Sequence, residues 1–216
     1  MKGKLCMSGT VSMTRILFAL LFLSSCGNLP IAYIQNFSSV NNVVFGFPEY
    51  EITENIYQEY ENSFMKIRFG RGPHAILILA YIRDDVYEWV GADNVKIYTL
   101  NGRIIKTSGL TNNIEILKAS DKLYSSEAVF ETINLYNPTL LMTTLKRSSE
   151  IRDKTIIKLG KKIPVNRIEE TFSVDSIGWR GSNVYYRNAL SNSIEMVEQK
   201  IHPRLPVVKI EYYIKY

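Results

Sequence analysis

Residues 95–109 read VKIYTLNGRIIKTSG, and the way this stretch folds decides the class of the whole chain. Residues 95–100 and 103–107 are two runs of β-favouring side chains joined by Asn101-Gly102. That dipeptide suits a type I′ turn, whose two central residues both need positive φ, so the stretch reads as a β-hairpin. The same style continues outward. Upstream, Met65, Ile67 and Phe69 alternate with Lys66 and Arg68 before Gly70-Arg71-Gly72-Pro73. Residues 75–82 form a continuous apolar run, as in a strand covered on both faces. Arg83-Asp84-Asp85 then turns the chain into residues 86–90. Downstream, strand-like runs occupy 128–135, 140–145, 155–159, 167–174, 184–187, 193–201 and 207–214. Short strands with turns about every 8–12 residues predict an all-β fold, a sandwich or barrel-like body of many short antiparallel strands. One helix interrupts the pattern: Ile52, Ile56, Tyr60 and Phe64 recur every fourth residue, predicting a short helix near residues 53–62.

The first 25 residues are of a different kind. Lys2, Lys4 and Arg15 precede eight consecutive apolar residues, Ile16 to Leu23, and no acid occurs before Cys26. A membrane span needs roughly 20 apolar residues, so the run is too short to cross. Basic start, short apolar core and small residues make the pattern of a secretory signal. Leu23-Ser24-Ser25-Cys26 resembles the lipobox of bacterial lipoproteins, in which the cysteine thiol and the new amino group are acylated after cleavage. The expected organisation is a lipoprotein signal peptide at 1–25, a tether at 26–41 after lipidated Cys26, and an all-β periplasmic domain at 42–216. Whether 42–118 and 127–216 form one sheet system or two stays open. Gly27 in place of aspartate favours sorting to the outer membrane.

Composition narrows the chemistry. The chain is 46% hydrophobic and 22% charged, which suits a packed core rather than disorder. Three of its 26 basic residues precede Cys26, so the remainder nearly balances the 21 acidic ones and argues against a nucleic-acid partner. Both cysteines, Cys6 and Cys26, belong to the leader region, and the two histidines, His74 and His202, stand far apart. No metal and no cofactor is expected, because a structural zinc site needs about four clustered ligands. Gly70-Arg71-Gly72 lacks the third glycine of a dinucleotide fingerprint and precedes a strand.

At residues 67–110 the pattern resembles the YjbF/GfcB family of lipoproteins, encoded with group 4 capsule and related exopolysaccharide clusters. The resemblance rests on Gly70-x-Gly72-Pro73, Trp89-Val90-x-Ala92-Asp93, Asn101-Gly102-Arg103 and Lys106-Thr107-x-Gly109-Leu110. A second stretch carries it more weakly through Asn183, Gln199 and Pro203, with Tyr186 where the family has tryptophan. The resemblance implies an all-β fold, a lipid anchor in the outer membrane facing the periplasm, and a non-enzymatic role in assembly or export of a polysaccharide. The partners it implies are the membrane, other polysaccharide-export proteins of the outer membrane and periplasm, and the polysaccharide itself. It supplies no catalytic residues.

Candidate contacts follow from side-chain chemistry. Sugar C–H faces stack on aromatic rings, and Trp89, Trp179, Tyr185, Tyr186, Tyr212 and Tyr213 are the rings considered, with Trp179 and Tyr186 first. Residues 146–162 gather Lys146, Arg147, Arg152, Lys154, Lys158, Lys161 and Lys162 against Glu150 and Asp153, a patch for an anionic glycan or lipid headgroup. Within it Lys158, Lys161 and Lys162 are the contact residues expected. Strand edges are a further expected docking surface. Two other functional readings stand beside the leading one. A glycan-modifying enzyme would use Asp84, Asp85 or Glu88, and a general envelope-stability lipoprotein would have no link to glycan.

Overall fold

Twelve strands follow one short helix in the computed structural model, which describes residues 46–118 and 126–215. Helix α1 is Glu54–Glu59. The strands are β1 Phe64–Phe69, β2 His74–Arg83, β3 Val86–Val90, β4 Lys96–Leu100, β5 Arg103–Ser108 and β6 Ile114–Lys118, then β7 Val129–Leu135, β8 Leu140–Lys158, β9 Lys161–Val174, β10 Trp179–Asn188, β11 Ile194–Gln199 and β12 Val208–Tyr213. Each strand pairs antiparallel with its sequence neighbours, and β1 pairs with β12, so the sheet closes into a barrel. The all-β, barrel-like expectation and the single short helix are both borne out. The stretches 42–118 and 127–216 contribute to this one closed sheet. The signal segment 1–25, Cys26 and the tether 26–41 lie outside the described residues.

Side-chain alternation explains the closure. Met65 and Ile67, Leu77, Trp89, Ile97, Ile168, Val197 and Ile210 are buried together inside the barrel, each from a strand whose neighbouring positions face outward. The hairpin that opened the reading forms as expected, with Asn101 at φ 49 and Gly102 at φ 75. Gly102 is also a packing requirement, since a Cβ there would stand 2.6 Å from Ile194 on β11. Asp84 and Asp85 make the corresponding β2–β3 turn at φ 50 and 63, a conformation tolerated best by Gly, Asn and Asp.

The ladder is thinnest between β5 and β6, where Lys106 opposite Glu115 is the single registered pair. Side chains make up the difference. Lys106 and Glu115 form an ion pair at 2.7 Å. Asn113 accepts from the Leu110 N–H and from the Thr107 hydroxyl, and donates back to the Leu110 carbonyl. The Thr107 hydroxyl in turn accepts from the Ile114 N–H. The barrel therefore stays closed where its backbone pairing is weakest.

The outer face of β1 and β12 is covered as well. Arg68 reaches out to Glu49 at 2.5 Å and to the Phe47 carbonyl, and Lys66 donates to the Tyr50 carbonyl. Residues 46–53 thus run along the outside of β1 into α1. Thr53 caps that helix, its hydroxyl accepting from the Ile56 N–H. Phe64 and Tyr213 stack at 4.8 Å beneath the helix, forming a second small core with Ile52, Ile56 and Tyr57. The long β8–β9 hairpin bends over to reach the same place. Its tip residue Leu159 joins that core, Lys158 pairs with Glu195 at 2.6 Å and donates to the Tyr212 carbonyl, and Lys161 pairs with Glu54. The hairpin tip is a clasp over the helix and the last strand.

This clasp is sensitive to acid. Burial opposes ionisation of Glu195, but the Lys158 ammonium, with hydrogen bonds from Lys158, Asn188 and Ser193, holds its carboxyl below the ordinary value. The unfolded chain therefore takes the proton first as pH falls. The contribution is complete above the ordinary carboxylate range and is lost as pH falls through the folded value. In urea unfolding between pH 7 and pH 3, Glu195→Gln is expected to lower stability at neutral pH and to flatten the acid side of the profile. Parallel profiles for the two proteins would remove the clasp from the account.

Candidate functional site

Five neighbouring strands place polar side chains where their alternation calls for core. Glu131 on β7, Lys146 on β8, Glu170 on β9, Asn183 on β10 and Gln199 on β11 are all buried, and Arg103 on β5 completes the set. Arg103 grips Glu131 with both terminal nitrogens, at 2.7 and 2.5 Å. Lys146 stands 2.5 Å from Glu131 and 3.6 Å from Glu170. Glu170 also accepts from Asn183 at 2.7 Å and from the Tyr185 hydroxyl at 3.3 Å. Gln199 accepts from the Ile104 N–H and donates to the Ile104 carbonyl, tying β11 to β5 across the interior. Burial opposes the charge on Arg103, yet Glu170, Tyr185 and Glu131 outweigh it and keep the guanidinium firmly protonated. Two cations and two anions therefore form an ionic belt around half of the barrel's inside.

A cleft of about 340 Å³ opens at the end of the barrel where the β2–β3, β4–β5 and β10–β11 turns meet the exit of β12. Its rim carries Asp85, Asn101 and Asn192, all with left-handed backbone at φ 63, 49 and 60. Arg187 and Ser193 also line it, with Tyr87, Thr99 and Tyr212 on its walls. Several of these groups are already oriented by bonds of their own. The Tyr212 hydroxyl donates to the Gly102 carbonyl at 2.8 Å, the Thr99 hydroxyl accepts from the Trp89 indole at 2.9 Å, and Arg187 donates to Glu150 at 2.6 Å. A carboxylate, carboxamides, hydroxyls and a guanidinium around tyrosine rings suit a ligand rich in hydroxyl groups. Among the described residues, no group of three or more His, Cys, Asp or Glu side chains is placed to hold a metal ion.

The residues singled out from the sequence scatter. Trp89 and Tyr185 are fully buried and Trp179 nearly so, so their rings belong to the core and offer no face to a sugar in solution. Tyr212 and Tyr213 are buried too, although Tyr212 borders the cleft. Tyr186 is half-buried on the outer face of β10, opposite Arg167. Lys158 is committed to the clasp, Lys161 is exposed but paired with Glu54, and Lys162 is exposed. Lys146 leaves the basic patch altogether for the belt. Asp84 sits in a turn while Glu88 faces outward and pairs with Lys96 at 2.9 Å. Asp85 shares that turn and lines the cleft, whereas Glu88 stands on β3 with its carboxylate committed to Lys96. Cys26 lies outside the described residues.

Closure also changes the expected docking by strand edges. The barrel body is closed, and edges remain on β2 beyond Ile78, where among the described residues β3 is its one registered partner, and on β8 beyond Lys146, where β9 is. A bulge between Ile151 and Lys154, Asp153 at φ 59, and charged Arg147, Arg152 and Lys154 make the β8 edge a poor template for another strand.

Comparison with known proteins agrees with this architecture. A family model described as group 4 capsule polysaccharide lipoprotein gfcB, YjbF matches residues 37–213. The chain is 29% identical over 94 residues to the uncharacterized lipoprotein GfcB of Escherichia coli (strain K12), a stretch covering 44% of this chain and 42% of GfcB. It is 24% identical over 153 residues to the uncharacterized lipoprotein YjbF of the same organism, covering 66% of this chain and 72% of that one. The crystal structure of the hypothetical lipoprotein YmcC from Escherichia coli (K12) superposes with a TM-score of 0.69 at 18% identity, over 88% of this chain and 98% of that chain, a likeness of fold.

The belt makes a sharp prediction about stability. Glu131→Gln keeps the shape but leaves Arg103 and Lys146 short of their countercharge, and breaking a buried pair in this way costs about 3–5 kcal/mol. Lys162→Gln, on an exposed residue, should stay within about 0.5 kcal/mol of the parent. Urea unfolding of both variants checks this. A parent-like midpoint for Glu131→Gln would mean that the belt is not charged as described.

Proposed function

Since the chain belongs to the YjbF family of group 4 capsule polysaccharide lipoproteins, we propose that it is an outer-membrane lipoprotein facing the periplasm that assists assembly or export of a capsule or exopolysaccharide without catalysing a reaction. Its role is to hold. Cys26 carries the acyl chains, which anchor firmly only when two or more are present, at about 0.8 kcal/mol per buried CH₂. Residues 26–41 tether the barrel, and the barrel presents a preformed polar cleft.

The single observation that carries this reading is the cleft, in which Asp85, Asn101, Asn192, Ser193 and Arg187 converge around Tyr87 and Tyr212. Small-ligand sites combine a formed concavity with a few fixed polar groups, and a segment of glycan offers hydroxyls to such a set. The engagement of Glu88 by Lys96 on the outer face supports a holding role over glycoside hydrolysis by that carboxylate. The family assignment supports capsule polysaccharide as the glycan class.

The test uses a strain lacking the protein, with surface and secreted polysaccharide as the readout. Wild type should restore the polysaccharide. Cys26→Ala carried by a cleavable secretory signal should restore it poorly. The double substitution Asp85→Gly and Asn192→Gly removes two rim side chains at positive-φ positions that glycine accepts without strain. It should leave the unfolding midpoint near that of the parent and reduce polysaccharide severalfold. Full restoration by the double variant would remove the cleft from the mechanism. No change of polysaccharide in the deletion strain, together with detergent sensitivity, would favour a general envelope role instead.

A further inference from the structure

Three buried polar atoms without a hydrogen-bond partner among the described residues belong to side chains around one cavity. They are Arg103 Nε, Thr144 Oγ1 and Trp179 Nε1, and all three residues line a cavity of about 30 Å³ inside the barrel. Lys146 lines it too. Its ammonium has three N–H bonds, and its contacts with Glu131 and Glu170 leave at least one of them uncommitted. Arg103, Thr144, Lys146 and Trp179 are each more than nine-tenths buried. Burying such groups without partners is unfavourable, so a ligand in the cavity is the natural account of these unpartnered donors.

We propose that this cavity is a binding site for one small monovalent anion of halide size. The wall is largely apolar, and its uncommitted polar groups are donors. A guanidinium, an ammonium and an indole N–H can only donate, and the Thr144 hydroxyl can rotate to do so. The other polar groups of the wall are engaged: Asn183 donates to Glu170 and accepts from the Lys200 N–H, while Gln199 spends its amide on Ile104. A water there would have to give away two protons in a wall with little to accept them. A halide only accepts. Charge points the same way, because Arg103, Lys146 and Lys200 border the cavity and no carboxylate does. Glu131 and Glu170 stand behind the two belt cations. Size suits a small anion: one water needs on the order of 10–15 Å³ of such space, and the cavity offers about 30 Å³. The site is independent of the cleft and of the family assignment.

Bromide is the probe, since it mimics a halide and scatters anomalously. The full chain is crystallised from bromide, and its thermal unfolding is followed in a bulky-anion buffer titrated with bromide at constant ionic strength. The expected result is one anomalous peak at hydrogen-bonding distance from Trp179 Nε1 and a saturable rise of Tm. Trp179→Phe removes the indole donor, should lose the peak, and should need at least tenfold more bromide for the same rise. If Trp179→Phe does not fold, Thr144→Val asks the same question with a smaller change. A water in the cavity and parallel bromide responses in parent and variant would overturn the proposal. So would a peak without a saturable Tm response, which would mean an adventitious ion only.

Discussion

Glu131 is a carboxylate held almost wholly out of water, and much of the barrel follows from keeping it charged there. Its countercharges come from β5 and β8, strands on either side of β6 and β7. To supply them, β5 must approach β7 across the thin β5–β6 seam, and β8 must sit in the register that puts Lys146 beside Glu131 rather than one residue away. Lys146 then brings in Glu170, and Glu170 brings in Asn183 and Tyr185. A one-residue slip would turn every one of these side chains to the outside. An apolar interior tolerates slippage better than a charged one does. The belt therefore need not add much net stability, given what desolvating four charges costs. Its effect is on specificity, because misregistered pairings would bury a lone charge.

The hairpin at residues 95–109, the turn at Asp84-Asp85 and the helix Glu54–Glu59 are legible because each rests on local chemistry: positive φ in the turns, a four-residue apolar period in the helix. The belt was not read, although its signal was present. Glu131 occupies the same alternation parity as Ile133 and Leu135, and Glu170 the same as Ile168, Phe172 and Val174. A charged residue at an inward position of a β-strand marks a buried pair once the strand is known to close against others. Lys146 was grouped with the basic run that follows it because proximity in sequence hid the change from barrel wall to protruding hairpin. Trp89, Trp179 and Tyr185 were weighed as contact residues for the opposite reason. Their chemistry suits sugars, but strand parity puts them inside. Arg103, Asn183 and Gln199 are among the positions that carried the family resemblance, and the structure gives them shared work in or beside the belt.

The two ends of the molecule differ. The clasp, the cleft and α1 gather at the end where β12 finishes, while the chain enters along the outside of β1 from the opposite end, beside Arg71, whose carbonyl accepts from the Phe47 N–H. The cleft is built from turns whose backbone is fixed by Asp, Asn and Gly at positive φ, mounted on strands that the belt and the clasp keep in place. A site on short turns over a closed barrel needs little reorganisation to receive a ligand. Closure of the sheet leaves few free strand edges for unintended pairing.

A double-mutant cycle on Arg103 and Glu131 tests the central claim most directly. Arg103→Met and Glu131→Leu are measured singly and together by equilibrium unfolding. If the belt is a coupled buried pair, each single change leaves a partner charge stranded, and the double variant is clearly more stable than the sum of the two losses allows, by at least about 2 kcal/mol of interaction energy. If the two losses simply add, the charges act independently, and the register of the barrel must be set by something other than the belt.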